Sequence, residues 1–181
     1  MSEIKLTNGS IENAILKDSK LVGGYVNGDG YISAKGNGVI VFGDGNGGGS
    51  IDASGTGSFA IGYADSGSIN VKGIGAHAEG YVYAGSINVS GKGTHAEGYA
   101  STLGSSINVS GSGAHAEGYA FSGSINASGN GAHAEGIITK ALADGAHAEG
   151  NKTEASGEGS HAEGWNTHAT SYQAHAEGSA T

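Results

Sequence analysis

Seven copies of the four-residue sequence HAEG recur along the C-terminal part of the chain at a regular spacing. Their last glycines run from Gly80 to Gly178 in steps of 18, 20, 18, 14, 14 and 14 residues. Three earlier segments fall on the same phase: KLVGG ending at Gly24, VIVFG ending at Gly43 and SFAIG ending at Gly62. A fixed period of this kind is typical of repeat architectures, in which each repeat contacts only its neighbours. The spacing predicts about ten coils of 14–20 residues.

Each coil also carries a second short segment, GSINVSG in the longer coils and TEASG in a shorter one. The two kinds align, because Val89 lies six residues before His95 and Ala155 lies six residues before His161. Both segments alternate by residue type, which is the two-residue period of a strand, and glycines between them supply the turns. Two short strands per coil predict an all-β parallel β-solenoid whose coils stack about 4.8 Å apart.

The composition favours many thin core layers over one large core. The 181 residues include 37 Gly, no Pro, no Cys and one Trp, so large apolar side chains are few. We expect an N-terminal cap or first partial coil at 1–19, a wide-coil roll at 20–136 and a narrow-coil roll at 137–181. The predicted inward pairs are Ile69/Val71, Ile87/Val89 and Ile107/Val109 in wide coils, and Thr139/Ala141, Thr153/Ala155 and Thr167/Ala169 in narrow ones.

The HAEG segments predict an outward face that changes character along the rod. Alternation sends Ala78 to the interior and His77, Glu79 and Tyr81 to the opposite side. In earlier coils the His and Glu positions hold Phe and Ile, and such an apolar patch marks an association surface that a cyclic homo-oligomer buries on every chain. The predicted interface residues are Ile40, Phe42, Phe59, Ile61, His77, Glu79, His95, Glu97, His115, Glu117, His133, Glu135, His147, Glu149, His161, Glu163, His175 and Glu177.

With SFAIG on this phase and narrow coils of 14 residues, the chain resembles the YadA-like head of trimeric autotransporter adhesins, whose repeat is SVAIG. The HAEG variants are also similar to repeats of phage tail-fibre and appendage proteins. The resemblance covers nearly the whole chain from about Lys20. It implies a left-handed parallel β-roll, assembled as a homotrimer with the His and Glu positions around the threefold axis. It also implies a structural attachment protein, a shaft or head segment of a virion tail fibre or bacterial surface adhesin, and not an enzyme.

The charge of the chain disfavours two classes of partner. The formal net charge is −9, with eight Lys, no Arg and seventeen acidic residues, which argues against nucleic acid and anionic membranes. The N-terminal sequence MSEIKLTNGS has no apolar region typical of a signal peptide, and no apolar run approaches membrane-spanning length. We therefore expect a homotrimer, with a host-surface glycan or receptor as a further partner, and neither nucleic acid nor membrane.

Three interpretations of the His/Glu pairs are open. The first, which we favour, is structural: His of one chain donates to Glu of the next, and this pairing raises the His pKa in the trimer. The second is a metal-binding His/Glu ladder at the axis, since a His and a carboxylate at i and i+2 face the same way. The third is catalysis by Ser160, His161 and Glu163, which is disfavoured because Ser160 and His161 point to opposite faces. We thus assign no catalytic residue, metal or cofactor.

Three further positions lie outside this pattern. Tyr83 and Phe121 lie in the extra loops of wide coils and are the candidates for glycan contact. His168 lies between Thr167 and Ala169 at an outward position, and we expect it to be solvated. One outward column of the second segments is predicted to form a side-chain amide ladder, and its members are Asn70, Asn88, Asn108 and Asn126.

Overall fold

The chain folds as an all-β parallel solenoid built from two nine-stranded sheets. The computed structural model describes residues 31–34, 38–45, 50–66, 68–84 and 86–180. Within these ranges there is no helix, and so none of the length and apolar character needed to cross a membrane. The all-β parallel solenoid predicted from the repeat is therefore confirmed. The first predicted coil, at 20–24, and the predicted cap at 1–19 lie outside the described residues.

The second segments of the coils form one sheet, which we call the SINV sheet after its commonest sequence. Neighbouring strands pair in parallel with equivalent residues opposite each other, as Ile69 lies opposite Ile87. The strands are four residues long as far as Ala127 and two residues long beyond it. In chain order they are β1 (Tyr31–Ala34), β3 (Ser50–Ala53), β5 (Ser68–Val71), β7 (Ser86–Val89), β9 (Ser106–Val109), β11 (Ser124–Ala127), β13 (Lys140–Ala141), β15 (Glu154–Ala155) and β17 (His168–Ala169).

The HAEG-type segments form the other sheet, which we call the HAEG sheet. Ile40, Phe59 and His77 lie opposite one another on successive strands, so the register predicted from the glycine phase is confirmed. The remaining His residues continue that column through His175. The strands are β2 (Ile40–Gly45), β4 (Phe59–Ala64), β6 (His77–Val82), β8 (His95–Ala100), β10 (His115–Ala120), β12 (His133–Ile137), β14 (His147–Asn151), β16 (His161–Trp165) and β18 (His175–Ser179).

The core lies between the two sheets and is thin. The HAEG sheet contributes small side chains, among which Ala78 and Ala96 are fully buried. The SINV sheet contributes Ile and Val in the wide coils and Thr and Ala in the narrow ones, and all of the predicted inward pairs are buried. The predicted dependence of core size on coil size is confirmed. The largest fully buried side chains are Ile51, Ile69, Ile87, Ile107 and Ile125.

The glycine that ends each HAEG segment allows the coils to stack at strand spacing. Gly80 has a φ of +149°, and a Cβ on it would lie 2.1 Å from the carbonyl oxygen of Gly98 and 2.8 Å from Cδ1 of Ile87. A side chain at this position would therefore collide with the next coil and with the core, in a backbone conformation that favours glycine. Because the strand continues through this glycine, Tyr81 reaches the same outward face as His77.

Candidate functional site: the outward face of the HAEG sheet

The outward side of the HAEG sheet carries three parallel columns of side chains, one of His, one of Glu and one that holds Tyr from β4 to β10. On β6, for example, Ala78 and Val82 are buried whereas His77, Glu79 and Tyr81 remain partly or fully exposed. We call the surface formed by these outward positions of β2 to β18 the His/Glu/Tyr face. It brings together the predicted interface residues, with Phe59 and Ile61 in the His and Glu columns. Among the predicted interface residues, only Phe42 has a side chain outside the part of the chain that the structure describes.

The His column is a row of imidazole rings in contact from coil to coil, and the rings are stacked in all but one of the neighbouring pairs. Ring centroids on neighbouring coils are 4.6–4.9 Å apart, and Phe59 meets the first ring of the stack edge-on at 4.7 Å. Five of the six neighbouring pairs are nearly parallel, with interplanar angles of 3–13°. His147 and His161 are the exception, at 53°. Since like charges this close repel, the stack disfavours simultaneous protonation of neighbouring rings.

Each His is paired with the Glu two residues later on its own strand. The distances from Nε2 to Oε2 are 3.3–3.8 Å, which exceed the usual range of an N–H···O hydrogen bond. The His side chains are about one-third exposed in the first six tiers, yet their Nε2 atoms are shielded from water. The shielded Nε2 atoms without a hydrogen-bond partner belong to His77, His95, His115, His133, His147 and His161.

The neutral imidazole is favoured at three positions of the stack. Burial and the neighbouring His95 lower the pKa of His77. Burial and the neighbouring rings likewise lower the pKa of His115 and of His147. The attraction of the Glu residues acts in the opposite direction and is the smaller effect. Within one chain the pKa of these three His residues is therefore lowered. The rise in His pKa expected from pairing between chains stays a prediction for the trimer.

The aromatic column also forms ring contacts on successive coils, edge-on between Tyr81 and Tyr99 and stacked in the other two pairs. Tyr63, Tyr81, Tyr99 and Tyr119 have ring centroids 5.0–5.3 Å apart on successive coils. The strand pairing places these residues opposite one another, in one column. The narrow coils continue the column with smaller or different groups, ending in the half-exposed Trp165 and Ser179. The result is an exposed ladder of flat rings beside the His and Glu columns.

The two candidate glycan-contact residues lie beside the Tyr column. The backbone N–H of Tyr83 donates to Ala100, and the N–H of Ser101 donates to Ala120, so Tyr83, Ser101 and Phe121 follow one another on successive coils. Tyr83 is 52% exposed and Phe121 is 50% exposed. Two open aromatic rings therefore flank a serine, separated by two coil steps or about 9.6 Å of rod.

The superficial Ser/His/Glu set is not assembled. The Ser160 hydroxyl is buried and donates to the carbonyl oxygen of Gly157 at 2.6 Å. The ring of His161 points to the other side of the sheet, toward its partner Glu163. The opposite orientations predicted for Ser160 and His161 are thus confirmed, and the hydroxyl has no access to the imidazole. On the SINV sheet, His168 is outward and exposed, as expected.

The predicted amide ladder runs along the outward side of the SINV sheet. Nδ2 of Asn88 donates to Oδ1 of Asn70 at 2.9 Å, and Nδ2 of Asn108 donates to Oδ1 of Asn126 at 3.1 Å. Asn70 in turn donates to Asp52 at 2.7 Å. The ladder is therefore confirmed for these pairs. It occupies the side of the rod opposite to the His/Glu/Tyr face.

One group of residues on the His/Glu/Tyr face has the composition of a metal site. Single donor atoms of His147, Glu149 and His161 lie within 4.8 Å of one another, and this is the one such group among the described residues. Sequence reasoning considered a His/Glu ladder but could not single out this tier, because all seven tiers carry the same four letters. What distinguishes it is the tilt between the two His rings.

Comparison with known proteins adds no further constraint on the site. The resemblance to the YadA-like head stays a prediction based on the repeat and its phase. No protein-family model, no curated protein and no solved structure matches the chain.

Proposed function

We propose that the chain is a segment of a homotrimeric attachment fibre, the shaft or head of a phage tail fibre or of a bacterial surface adhesin. In this proposal about ten coils form a left-handed roll, and three rolls pack through their His/Glu/Tyr faces around a threefold axis. The chain has a structural role and carries out no catalysis. The observation on which the proposal depends is the open, in-register His/Glu/Tyr face.

The shape and composition of this face support association between copies of the chain. Ile40 is 47% exposed at one end of the His column, and the tyrosines form a ladder of exposed rings beside it. Aromatic groups are enriched in protein interfaces, and contiguous apolar surface is costly to leave in water. A cyclic assembly covers this surface on every chain with the same residues.

Packing between chains would also complete the His/Glu pairs. The Nε2 atoms of the tiers before His147 are shielded but have no hydrogen-bond partner within their chain, and a Glu from a sister chain can accept from them. Burying ionisable pairs adds little net stability over apolar residues, but a mispaired one is costly. A slip by one coil would place the Phe59 and Ile61 tier against a His/Glu tier. The pairs therefore set the alignment of the chains.

The test is the mass of the assembly in solution, together with two Lys substitutions on opposite sides of the rod. Sedimentation should give three times the chain mass of 17.6 kDa. Tyr99→Lys, on the His/Glu/Tyr face, should dissociate the trimer because it buries an unpaired charge. Asn108→Lys is the matched control, since its outward column already holds Lys140. A chain that is a stable monomer or dimer would refute the trimer.

A second candidate function is glycan binding through Tyr83 and Phe121. It is favoured by their half-exposed rings, which stand on one side of the rod with Ser101 between them. Exposed aromatic faces stack on the apolar faces of sugar rings in the same way that they pack in interfaces. Saccharide binding should be lost in both Tyr83→Ala and Phe121→Ala and retained in Leu103→Ala, which removes another exposed apolar side chain. Equal binding by all three variants would exclude this use of the two rings.

A further inference from the structure

The stack of His rings is interrupted at one position. His147 and His161 have centroids 4.7 Å apart, like the other neighbours, but their planes are inclined by 53°. The lone pair of an imidazole nitrogen lies in the plane of its ring, so a bound ion must lie close to that plane. Parallel planes do not meet, and two parallel stacked rings therefore cannot direct lone pairs at one ion. Inclined planes intersect, so the tilt permits both rings to direct a lone pair at one ion, and single donor atoms of His147, Glu149 and His161 already lie within 4.8 Å of one another.

A carboxylate lies beside this pair of rings at a suitable distance. Oε2 of Glu149 is 3.4 Å from Nε2 of His147. Two ligand atoms about 2.1 Å from a tetrahedral zinc ion are about 3.4 Å apart, so this edge of the coordination polyhedron is already in place. The donor atom of His161 lies within 4.8 Å of the other two, so it has to move closer for all three to bind one ion.

The two nitrogen atoms are held only by long ion pairs, at 3.4 Å to Glu149 for His147 and at 3.6 Å to Glu163 for His161. Nε2 of His147 and Nε2 of His161 have no hydrogen-bond partner in the chain, so binding an ion there breaks no existing hydrogen bond. All three side chains are half-buried, which reduces competition from water without closing the site. A buried polar atom without a partner is itself unfavourable, and coordination would remove that cost.

We propose that His147, Glu149 and His161 bind one zinc ion per chain. Two imidazoles and one carboxylate are ligands that zinc accepts, and they leave a fourth tetrahedral position open for water. The site is complete within a single chain, so it goes beyond the proposed attachment role and does not depend on the trimer. It differs from a ladder of ions along the axis, because the parallel tiers lack converging lone pairs.

The experiment is a calorimetric titration of the full chain with zinc chloride after removal of bound metal by chelation. We expect one ion per chain. Glu149→Gln and His161→Gln should each weaken zinc binding by at least about tenfold, the loss that even outer-sphere partners of a metal site cause. The matched variants Glu97→Gln and His115→Gln change the tier with the most parallel rings, at 3°, and should leave the affinity unchanged.

The proposal would be overturned by no zinc binding at millimolar concentration, by several ions per chain, or by an equal loss of affinity in the two matched variants. One ion per three chains would also overturn it, by placing the metal on the axis. Circular dichroism verifies that each variant is folded. Sedimentation of the same samples reports the oligomeric state separately, so failure of the trimer and failure of the zinc site can be told apart.

Discussion

A Cβ atom on Gly150 would lie 2.2 Å from the carbonyl oxygen of Gly164 on the next coil. The same glycine on the last described coil, Gly178, has nothing within 4 Å of this position. Their φ angles are nearly the same, at +109° and +112°. The two residues therefore share the backbone conformation and differ in whether another coil is stacked against them.

This difference separates the cost of coil contact from the cost of backbone strain. Gly178→Ala should lower the free energy of unfolding by about 1–3 kcal/mol, because it places a side chain at positive φ and so strains the backbone. Gly150→Ala should lower the free energy of unfolding by the same amount and by about 1–3 kcal/mol more, because the coils have to move apart to relieve the clash. Thermal unfolding followed by circular dichroism compares the two variants. Equal losses would mean that coil contact contributes nothing at this glycine.

A second prediction concerns the core of the wide coils. Ile107 is 0% exposed, and Ile74 in a turn is 56% exposed. Ile107→Ala should lower the free energy of unfolding by about 2–5 kcal/mol, because it removes apolar contacts and leaves a cavity in a thin core. Ile74→Ala deletes the same atoms from the surface and should change the free energy of unfolding by less than about 0.5 kcal/mol. Urea titration measures both. A small effect at Ile107 would contradict the burial on which the solenoid depends.

The register and the inward residues could be predicted because a strict phase allows only one alignment. Once Gly43, Gly62 and Gly80 share a phase, Ile40 must lie opposite Phe59, and the two-residue period then sends Ala78 inward. The register and the inward orientation depend only on spacing and residue type, and both can be read from the amino-acid sequence. The fold of the described residues follows from them.

The fine geometry of the site could not be predicted in the same way. His133/His147 and His147/His161 are separated by the same 14 residues within the same four letters, yet their rings are inclined by 9° and 53°. The difference arises from side-chain packing that a repeated motif does not encode. The lowered pKa of His77 within one chain was not predicted either, because burial and the stacked His95, which cause it, depend on side-chain geometry.

A third prediction follows from the lowered pKa of His77 and His115. Their imidazoles protonate less readily in the fold than in the unfolded chain, where the pKa is about 6.5. Below that pH the unfolded chain binds more protons, so this contribution to stability is complete above about pH 6.5 and is lost as pH falls through the folded pKa. Melting temperatures measured from pH 7.5 to pH 5 should therefore decrease toward acid.

A matched pair of variants tests the cause. His95→Gln removes a ring that lowers the pKa of both neighbours, so it should reduce the loss of stability toward acid. His168→Gln removes an exposed His from the other sheet and should leave the pH dependence unchanged. A chain that becomes more stable toward acid would show instead that pairing with Glu between chains dominates.

The fourth prediction contrasts two buried threonines in the narrow coils. Oγ1 of Thr153 has no hydrogen-bond partner, whereas Oγ1 of Thr167 donates to the carbonyl oxygen of Glu163 at 3.1 Å. Valine has nearly the same shape, so Thr153→Val removes an unfavourable buried hydroxyl and should stabilise the chain by about 1 kcal/mol. Thr167→Val should be less favourable by about 0.5–1.5 kcal/mol, because it also breaks a hydrogen bond.

Urea midpoints that shift equally in the two variants would show that the hydroxyl of Thr153 finds a partner in solution. In that case the Thr positions of the narrow coils would be satisfied alike, and the preference for Thr over Val there would reflect hydrogen bonding as well as coil width.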